Sequence, residues 1–98
     1  MGIFPFVSNK KELVDKAKEI YYQLIKEWTC AFDISGSIGR RYSRQDEIGT
    51  PLCATIDFQT LEDSTITLRG RNTTKQIRVK IDELKTVITQ FLNGEKPI

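Results

Sequence analysis

The sequence predicts an α/β fold: a three-layer sandwich in which helices cover one mixed, five-stranded sheet. Two stretches carry apolar residues at a period of 3.6, which indicates amphipathic helices. Short apolar or β-branched runs without that period lie between the helices and indicate strands. The last two of these runs follow each other and alternate in polarity, which favours an antiparallel hairpin at one edge of the sheet.

The elements follow in the order β-α-β-α-β-β-β-α. The predicted strands are residues 3–7, 29–34, 52–58, 65–69 and 76–80. The predicted helices are residues 10–28, 37–48 and 82–93, and residues 61–64 are predicted as a turn. Pro5 lies inside the first strand, where it removes one ladder hydrogen bond. In a sheet of this type a ligand site lies outside the carboxyl ends of the parallel strands, here near residues 7–8, 33–35 and 57–58.

Capping and helix-breaking residues determine where the predicted helices begin and end. Asn9 is predicted to cap the first helix, and Glu12 three residues later completes a capping box. Ser37 is predicted to cap the second helix. Gly49 suits the end of that helix, and Pro51 prevents its continuation.

Length and composition predict one domain over residues 1–98. No apolar run approaches the roughly 18 residues of a membrane helix, and no basic region of a signal peptide opens the chain, so a cytoplasmic protein is expected. The chain has no histidine and two separated cysteines, Cys30 and Cys53. These counts exclude Ser-His and Cys-His nucleophile pairs and disfavour a metal site, so no catalytic and no metal-binding residue is predicted.

Basic residues are concentrated in one part of the chain although the formal net charge is only +2. Residues 69–80 carry five basic side chains and no acidic one. Such a run indicates either a polyanionic partner or a solvated face.

The segment GSIGRRYSRQDEIGTP, residues 36–51, allows several interpretations. Its glycines match neither the Walker loop nor the GxGxxG loop of nucleotide-binding proteins. They therefore predict either a turn followed by a helix cap or a site for an RNA phosphate at the helix start. Arg40 and Arg44 lie four residues apart on one helix face, where they either pair with Asp46 and Glu47 or contact an RNA backbone. The two adjacent carboxylates diverge by about 100° on a helix, which excludes a facing acid-base pair.

Phe58 ends the third predicted strand at the expected ligand edge. Its ring either caps the core or offers a stacking platform for an unpaired base. Arg69 and Arg71 flank the predicted hairpin loop at residues 70–74 and are expected to reach the same space.

The run GSIGRRYSRQDEIGTP, followed by TIDFQTLED and TITLRGRNTTKQIRV, closely resembles the C-terminal anticodon-binding domain of dimeric glycyl-tRNA synthetases. The similarity covers nearly the whole chain. It implies the class II synthetase anticodon-binding fold, a mixed five-stranded sheet with three helices. It also implies that the chain binds the anticodon loop of glycine tRNA while a separate catalytic domain, absent here, performs aminoacylation.

Further expectations follow from this resemblance. The domain itself needs no cofactor, while the parent enzyme uses ATP and magnesium and is a homodimer. No membrane or DNA partner is expected. A stand-alone RNA-binding adaptor or a polymerase accessory domain with the same fold is the alternative.

The resemblance also suggests roles for single residues, because glycine anticodons end in two cytosines. Phe58 is predicted to stack on a base, and Arg71 to donate hydrogen bonds to a base or phosphate. Arg69 would add charge near the backbone. Asp57, predicted on the opposite strand face from Phe58, is a weaker candidate for accepting from a cytosine amino group. Gln90, predicted to point outward on the last helix, is a candidate for a further polar contact. Residues 69–72 read RGRN where the family often has RDRD, which makes this loop more electropositive.

Overall fold

Two βα units, a third strand followed by a short helix, and a terminal β-hairpin with its helix build the fold. The computed structural model describes residues 1–71 and 75–95. Strands β1 to β5 are Gly2–Pro5, Ala31–Phe32, Leu52–Ile56, Thr65–Gly70 and Gln76–Lys80. Helices α1 to α4 are Lys11–Leu24, Ile38–Glu47, Phe58–Asp63 and Leu84–Leu92, and a 3-10 turn at Ile81–Glu83 precedes α4.

The strands form one mixed sheet in the order β2-β1-β3-β4-β5. β1 pairs in parallel with β2 and with β3, while β4 is antiparallel to both β3 and β5. The α/β class, the parallel crossovers and the antiparallel edge are therefore confirmed. The connections β1-α1-β2 and β2-α2-β3 run in opposite directions across the sheet, so right-handed crossovers place α1 and α2 on opposite faces.

The main core lies on the sheet face that α1 and α4 cover. Its buried side chains are Ile3, Leu13, Ala17, Ile20, Leu24, Leu52, Ala54, Ile56, Ile66, Leu68, Val79, Leu84 and Ile88. On the opposite face, the Tyr42 ring of α2 packs edge-on against the buried Phe4 ring, with centroids 5.4 Å apart. Along the strands, side chains thus point alternately to the α1/α4 face and to the α2 face.

The first helix differs from its prediction at both ends. Lys10, not Asn9, is its N-cap residue, and no side chain caps the helix start, so the predicted capping box is wrong. The helix ends at Leu24, and Trp28 follows in a turn whose amide still bonds to the Leu24 carbonyl oxygen at 3.0 Å. The apolar period continues to Trp28 because this turn keeps its ring against the core, although the helix has ended.

A short helix, α3, replaces the turn that was predicted at residues 61–64. Asp57 caps it by accepting from the Thr60 amide at 3.1 Å, and the Thr60 hydroxyl accepts in return from the Asp57 amide at 3.0 Å. These two bonds satisfy first-turn donors, so the chain leaves β3 after Ile56 and turns directly into a helix. Ser64 ends α3 in the left-handed conformation, with φ 58°.

The short β2 explains how Pro5 fits an interior strand. β2 pairs with the first two residues of β1, Gly2 and Ile3, and ends before it reaches Pro5. The missing N–H of Pro5 therefore breaks no ladder bond to β2. The Pro5 carbonyl oxygen instead accepts a hydrogen bond from Arg41 Nη1 at 2.5 Å, which ties α2 to the end of β1.

Candidate nucleic-acid interface

Two adjoining clefts lie at the carboxyl ends of β1 and β3. The first, here named the strand cleft, has a volume of 290 Å³ and is lined by Phe6, Ile38, Tyr42, Thr55, Asp57, Thr67, Gln76 and Arg78. The second, the helix-start cleft, has a volume of 430 Å³ and is lined by Phe6, Val7, Ser8, Asn9, Gly36, Ser37, Ile38 and Arg41. Phe6 and Ile38 belong to both, so the clefts are neighbours separated by two apolar side chains.

The strand cleft exists because α2 covers only part of its sheet face. Tyr42 packs on Phe4 of β1, and its hydroxyl is hydrogen-bonded to Thr55 Oγ1 of β3. Thr67 of β4 and Arg78 of β5 are paired in the ladder and line the cleft beyond that contact. The hairpin therefore extends the sheet past α2 and leaves a polar surface beside a helix.

Arg78 and Asp57 form the charged centre of the strand cleft. Arg78 Nη2 lies 2.5 Å from Asp57 Oδ2, and Arg78 Nη1 lies 3.3 Å from Asp57 Oδ1. Arg78 also donates to the hydroxyls of Thr65 and Thr67, at 2.9 and 3.1 Å. This two-point pair with two further bonds fixes the guanidinium plane at the surface.

The environment of Asp57 favours its ionised form. Burial alone would raise the pKa of this carboxyl, but hydrogen bonds from Arg78 and Thr60 outweigh burial and hold the pKa below its usual value. Asp57 thus keeps its negative charge at neutral pH while it caps α3 and orients Arg78.

Sequence reasoning missed Arg78 as a site residue. The alternation in β5 turns Val79 into the core, so Arg78 lies on the opposite face, directly across from Thr67. That alternation was the available signal. Alternation in β5 therefore marks Arg78 as a side chain of the face opposite the core.

Two aromatic rings near the carboxyl ends of β1 and β3 are exposed. Phe58 is 49% exposed, and Phe6, which lines both clefts, is 46% exposed. The prediction that Phe58 ends a strand is wrong, because Phe58 is the first residue of α3 and Asp57 is its cap. Asp57 and Phe58 are therefore not on opposite faces of a strand, although both lie at the predicted carboxyl edge. Phe6 was assigned to a strand interior and was not predicted as exposed.

Arg71 lies at the other end of the sheet. Its amide donates to the Pro51 carbonyl oxygen at 3.1 Å, next to the point where Leu52 of β3 pairs with Gly70 of β4. Four residue steps of β3 separate that end from Ile56, which is roughly 13 Å of strand. The prediction that Arg71 reaches the same space as Phe58 is wrong. The described residues include Arg71, while positions 72–74 of the predicted loop lie outside them.

Arg69 holds α2 against the sheet. Its guanidinium carbon lies 4.5 Å from the centre of the Tyr42 ring, and its Nη1 lies 3.4 Å from Asp46 Oδ1. Only 13% of its side chain is exposed. Its contacts therefore fasten a helix, and the expectation that it shares space with Phe58 is also wrong.

The other basic residues of α2 occupy three different environments. Arg40 is exposed in the first turn. Arg44 pairs with Asp33, with 2.8 Å between Nη2 and Oδ2, so its carboxylate partner is neither Asp46 nor Glu47. Arg41 is buried, with 2% of its surface exposed.

Gln90 lies far from these clefts. It is half-buried on α4, the helix that covers the main core on the opposite sheet face. The end of α4 approaches Met1 and Pro51 near the amino ends of the parallel strands. The structure thus separates Gln90 from the two clefts in both face and end.

The described residues contain no group of three or more His, Cys, Asp or Glu side chains placed to hold a metal ion. Within the same part of the chain, no helix has the length and apolar character needed to cross a membrane.

Comparison with known proteins agrees with this architecture. A family model described as "Anticodon binding domain" matches residues 1–91. The prolyl-tRNA synthetase of Cryptosporidium parvum, solved with L-proline and AMP, matches with a TM-score of 0.85 over 95% of this chain and 20% of that chain. At 18% identity, this likeness concerns the fold. The chain belongs to the anticodon-binding domain family.

Similar proteins from several organisms carry the name glycine–tRNA ligase. The protein of Corynebacterium efficiens is 51% identical over 88 residues, which are 90% of this chain and 19% of the relative. The protein of Aeropyrum pernix is 47% identical over 92% of this chain and 16% of its own. The protein of Borreliella afzelii is 46% identical over 100% of this chain and 22% of its own. The chain thus spans about a fifth of the length of these relatives.

Proposed function

We propose that this chain is the tRNA-binding module of a glycine–tRNA ligase and that its carboxyl edge grips the anticodon loop of glycine tRNA. The family match and the relatives named glycine–tRNA ligase support the assignment. The observation that carries the mechanism is the Asp57–Arg78 pair, which lines a cleft beside the exposed rings of Phe6 and Phe58.

This pair complements the edge of a cytosine. Cytosine presents an amino donor at N4 beside acceptors at N3 and O2. Asp57 Oδ2 accepts one bond, from Arg78 Nη2, and can accept a second from a base. Arg78 Nη1 and Nη2 already donate to Asp57, Thr65 and Thr67, so its Nε–H is the donor that we assign to the base. Uracil presents the reverse pattern at N3 and at its 4-position, so it would face the carboxylate with an acceptor. The arrangement therefore favours cytosine over uracil, as a glycine anticodon requires.

The exposed rings supply binding energy that does not depend on base identity. Phe6 lines both clefts, and Phe58 directly follows Asp57 in the chain. Each ring is about half exposed, so an unpaired base can cover it. Stacking of this kind contributes roughly 1–3 kcal/mol per base. We assign stacking to Phe58, with Phe6 as a second platform, and base reading to the charged pair.

Basic residues away from the charged pair would contact phosphates. Arg40 is exposed in the first turn of α2, and Arg44 keeps 44% of its side chain exposed beside Asp33. Arg71 at the opposite end of the sheet is suited to the backbone of the anticodon stem. Arg69 supports the site by holding Tyr42 in place, and Gln90 would meet only RNA that passes the far face.

Aminoacylation itself would belong to the remainder of the ligase. That part would use ATP and magnesium, and the whole ligase would be a homodimer. The 98 residues are accordingly expected to bind tRNA without charging it.

Binding of an anticodon stem-loop to the 98-residue chain tests the proposal. We expect the glycine stem-loop to bind more tightly than one in which uracils replace the two final anticodon cytosines. The preference should fall in Arg78→Lys, which keeps the charge but loses the two-point geometry. Lys18→Ala, an exposed charge on α1, is the matched control. Equal affinity of the wild-type chain for both stem-loops would refute base reading.

A further inference from the structure

The helix-start cleft lies next to the strand cleft, but the contacts proposed for the bases do not use it. It opens where the chain leaves β1 and where α2 begins, between Val7–Asn9 and Gly36–Ile38. Two features of its wall, the first turn of α2 and the side chain of Arg41, indicate what it binds.

The first turn of α2 offers unused backbone donors. The first internal bond of this ten-residue helix runs from the Arg41 amide to the Ser37 carbonyl oxygen, at 3.1 Å. Ser37 Oγ accepts from the Arg40 amide at 3.3 Å. The amides of Ile38 and Gly39 precede both bonds, and a helix start concentrates positive potential at such groups. A Cβ built at Gly39 would meet nothing within 4 Å, so no neighbouring side chain crowds this residue on that side.

Arg41 adds a buried charge to the same wall. It is 2% exposed, and its Nη1 and Nη2 donate to the carbonyl oxygens of Pro5 and Gly36, at 2.5 and 3.3 Å. Its Nε has no hydrogen-bond partner among the described residues. Carbonyl dipoles orient a guanidinium but do not cancel its charge, and a buried charge without a counter-ion is costly.

The acidic side chain that acts on Arg41 is already engaged. Asp33 pairs with Arg44 at 2.8 Å and accepts from the Ser35 amide at 2.9 Å. The cleft wall therefore combines a buried cation, two open amides and the positive end of a helix. An anion in the cleft would complete this set.

We infer that the helix-start cleft binds a phosphate group and that, given the proposed function, this group belongs to the RNA backbone. The two clefts share Phe6 and Ile38, so a nucleotide whose base enters the strand cleft leads its backbone into the helix-start cleft. A phosphodiester carries one negative charge and two free oxygens, which suits the two amides above Arg41. Ile38 and Gly39 bind the oxygens, and Arg41 supplies the field beneath them.

The chain allows a matched pair of variants at Ile38. Ile38→Pro removes the amide donor at the first helical position, where proline is well tolerated. The preceding Ser37, with φ −74° and ψ 161°, already has the extended conformation that a following proline requires. Ile38→Ala shortens the same side chain but keeps the amide.

The first experiment titrates the 98-residue chain with inorganic phosphate and follows amide and arginine Nε–H resonances by NMR. We expect saturable shifts at Ile38, Gly39 and Arg41 Nε–H in the wild type. Affinity for phosphate should be about tenfold weaker in Ile38→Pro than in Ile38→Ala. Absence of shifts at these groups in the wild type would overturn the inference, whichever variants fold.

The second experiment assigns the phosphate to RNA. Each loop phosphate of the glycine anticodon stem-loop is replaced in turn by a neutral methylphosphonate. We expect one position to weaken binding about tenfold in the wild type and in Ile38→Ala, but little in Ile38→Pro. If inorganic phosphate shifts the resonances but no methylphosphonate position behaves in this way, the assignment to RNA is overturned. If inorganic phosphate shifts the resonances but the chain binds no stem-loop, the proposed function is rejected, while the anion site itself is supported.

Discussion

Phe58 shows at the residue scale how function and stability separate. The ring begins α3 with 49% of its surface exposed, so Phe58→Ala should change the free energy of unfolding by less than about 0.5 kcal/mol. Loss of stacking should nevertheless weaken binding of the glycine stem-loop by roughly tenfold, as measured by fluorescence anisotropy. Leu61→Ala is the control, because Leu61 lies on the same helix and is 45% exposed. Equal losses in both variants would assign the effect to α3 as a whole.

The Asp57 carboxyl links the same site to pH. Its folded pKa lies below the usual value, since bonds from Arg78 and Thr60 outweigh the opposing effect of burial. Stability from this group is therefore present above the unfolded pKa of about 3.9 and is lost as pH falls through the lower folded value. Wild type should exceed Asp57→Asn in free energy of unfolding at neutral pH, and the difference should shrink below about pH 4. Urea unfolding at stepped pH measures it. A difference that stays constant from pH 7 to pH 3 would contradict this assignment.

Single residues also show where sequence reasoning failed. The exposed position of Phe58 at the carboxyl edge was predictable from the end of an apolar run. The burial of Arg41 was not, because arginine is almost never fully buried and the reason lies elsewhere in the chain, at the free carbonyl of Pro5. Arg71 was placed with Phe58 because both flank strands. Their separation follows only from the antiparallel direction of β4.

At the scale of elements, the attachment of α2 shapes the strand cleft. The Tyr42 hydroxyl bonds to Thr55 Oγ1 of β3, and Arg69 covers the Tyr42 ring. Tyr42→Phe should reduce the free energy of unfolding by about 1 kcal/mol, because Thr55 loses its partner in a largely buried place. Tyr22→Phe, at a position 60% exposed, should have no measurable effect in the same denaturant titration. Equal stability of the two variants would show that the Tyr42 hydroxyl adds nothing to the attachment of α2 by Arg41, Arg69 and the Tyr42 ring.

Elements were predicted well where a long apolar period defined them and poorly where local capping did. The period of α1 and the alternation of β4 and β5 indicated real elements, although α1 ended four residues early. At the start of α3, Asp57 and Thr60 form a capping box, the same motif that was wrongly predicted at Asn9 and Glu12. A segment of six residues shows too little periodicity to distinguish a short helix from a turn. The hydrogen bonds of the cap are what make this segment a helix.

At the scale of the whole molecule, the two ends of the sheet should act independently on RNA. Phe58 and Arg71 lie beyond opposite ends of β3, which spans roughly 13 Å. Effects of substitutions this far apart usually add, so Phe58→Ala and Arg71→Ala should lower the free energy of stem-loop binding additively.

Arg71→Ala should weaken glycine and cytosine-replaced stem-loops equally and reduce the slope of log affinity against log salt by about 1, because it removes a phosphate contact. Phe58→Ala should leave that slope unchanged. Binding measured at several salt concentrations for both variants and their combination tests this. Strong coupling between the two substitutions, or a loss of base preference in Arg71→Ala, would mean that the RNA bends around the sheet and brings Arg71 into base reading.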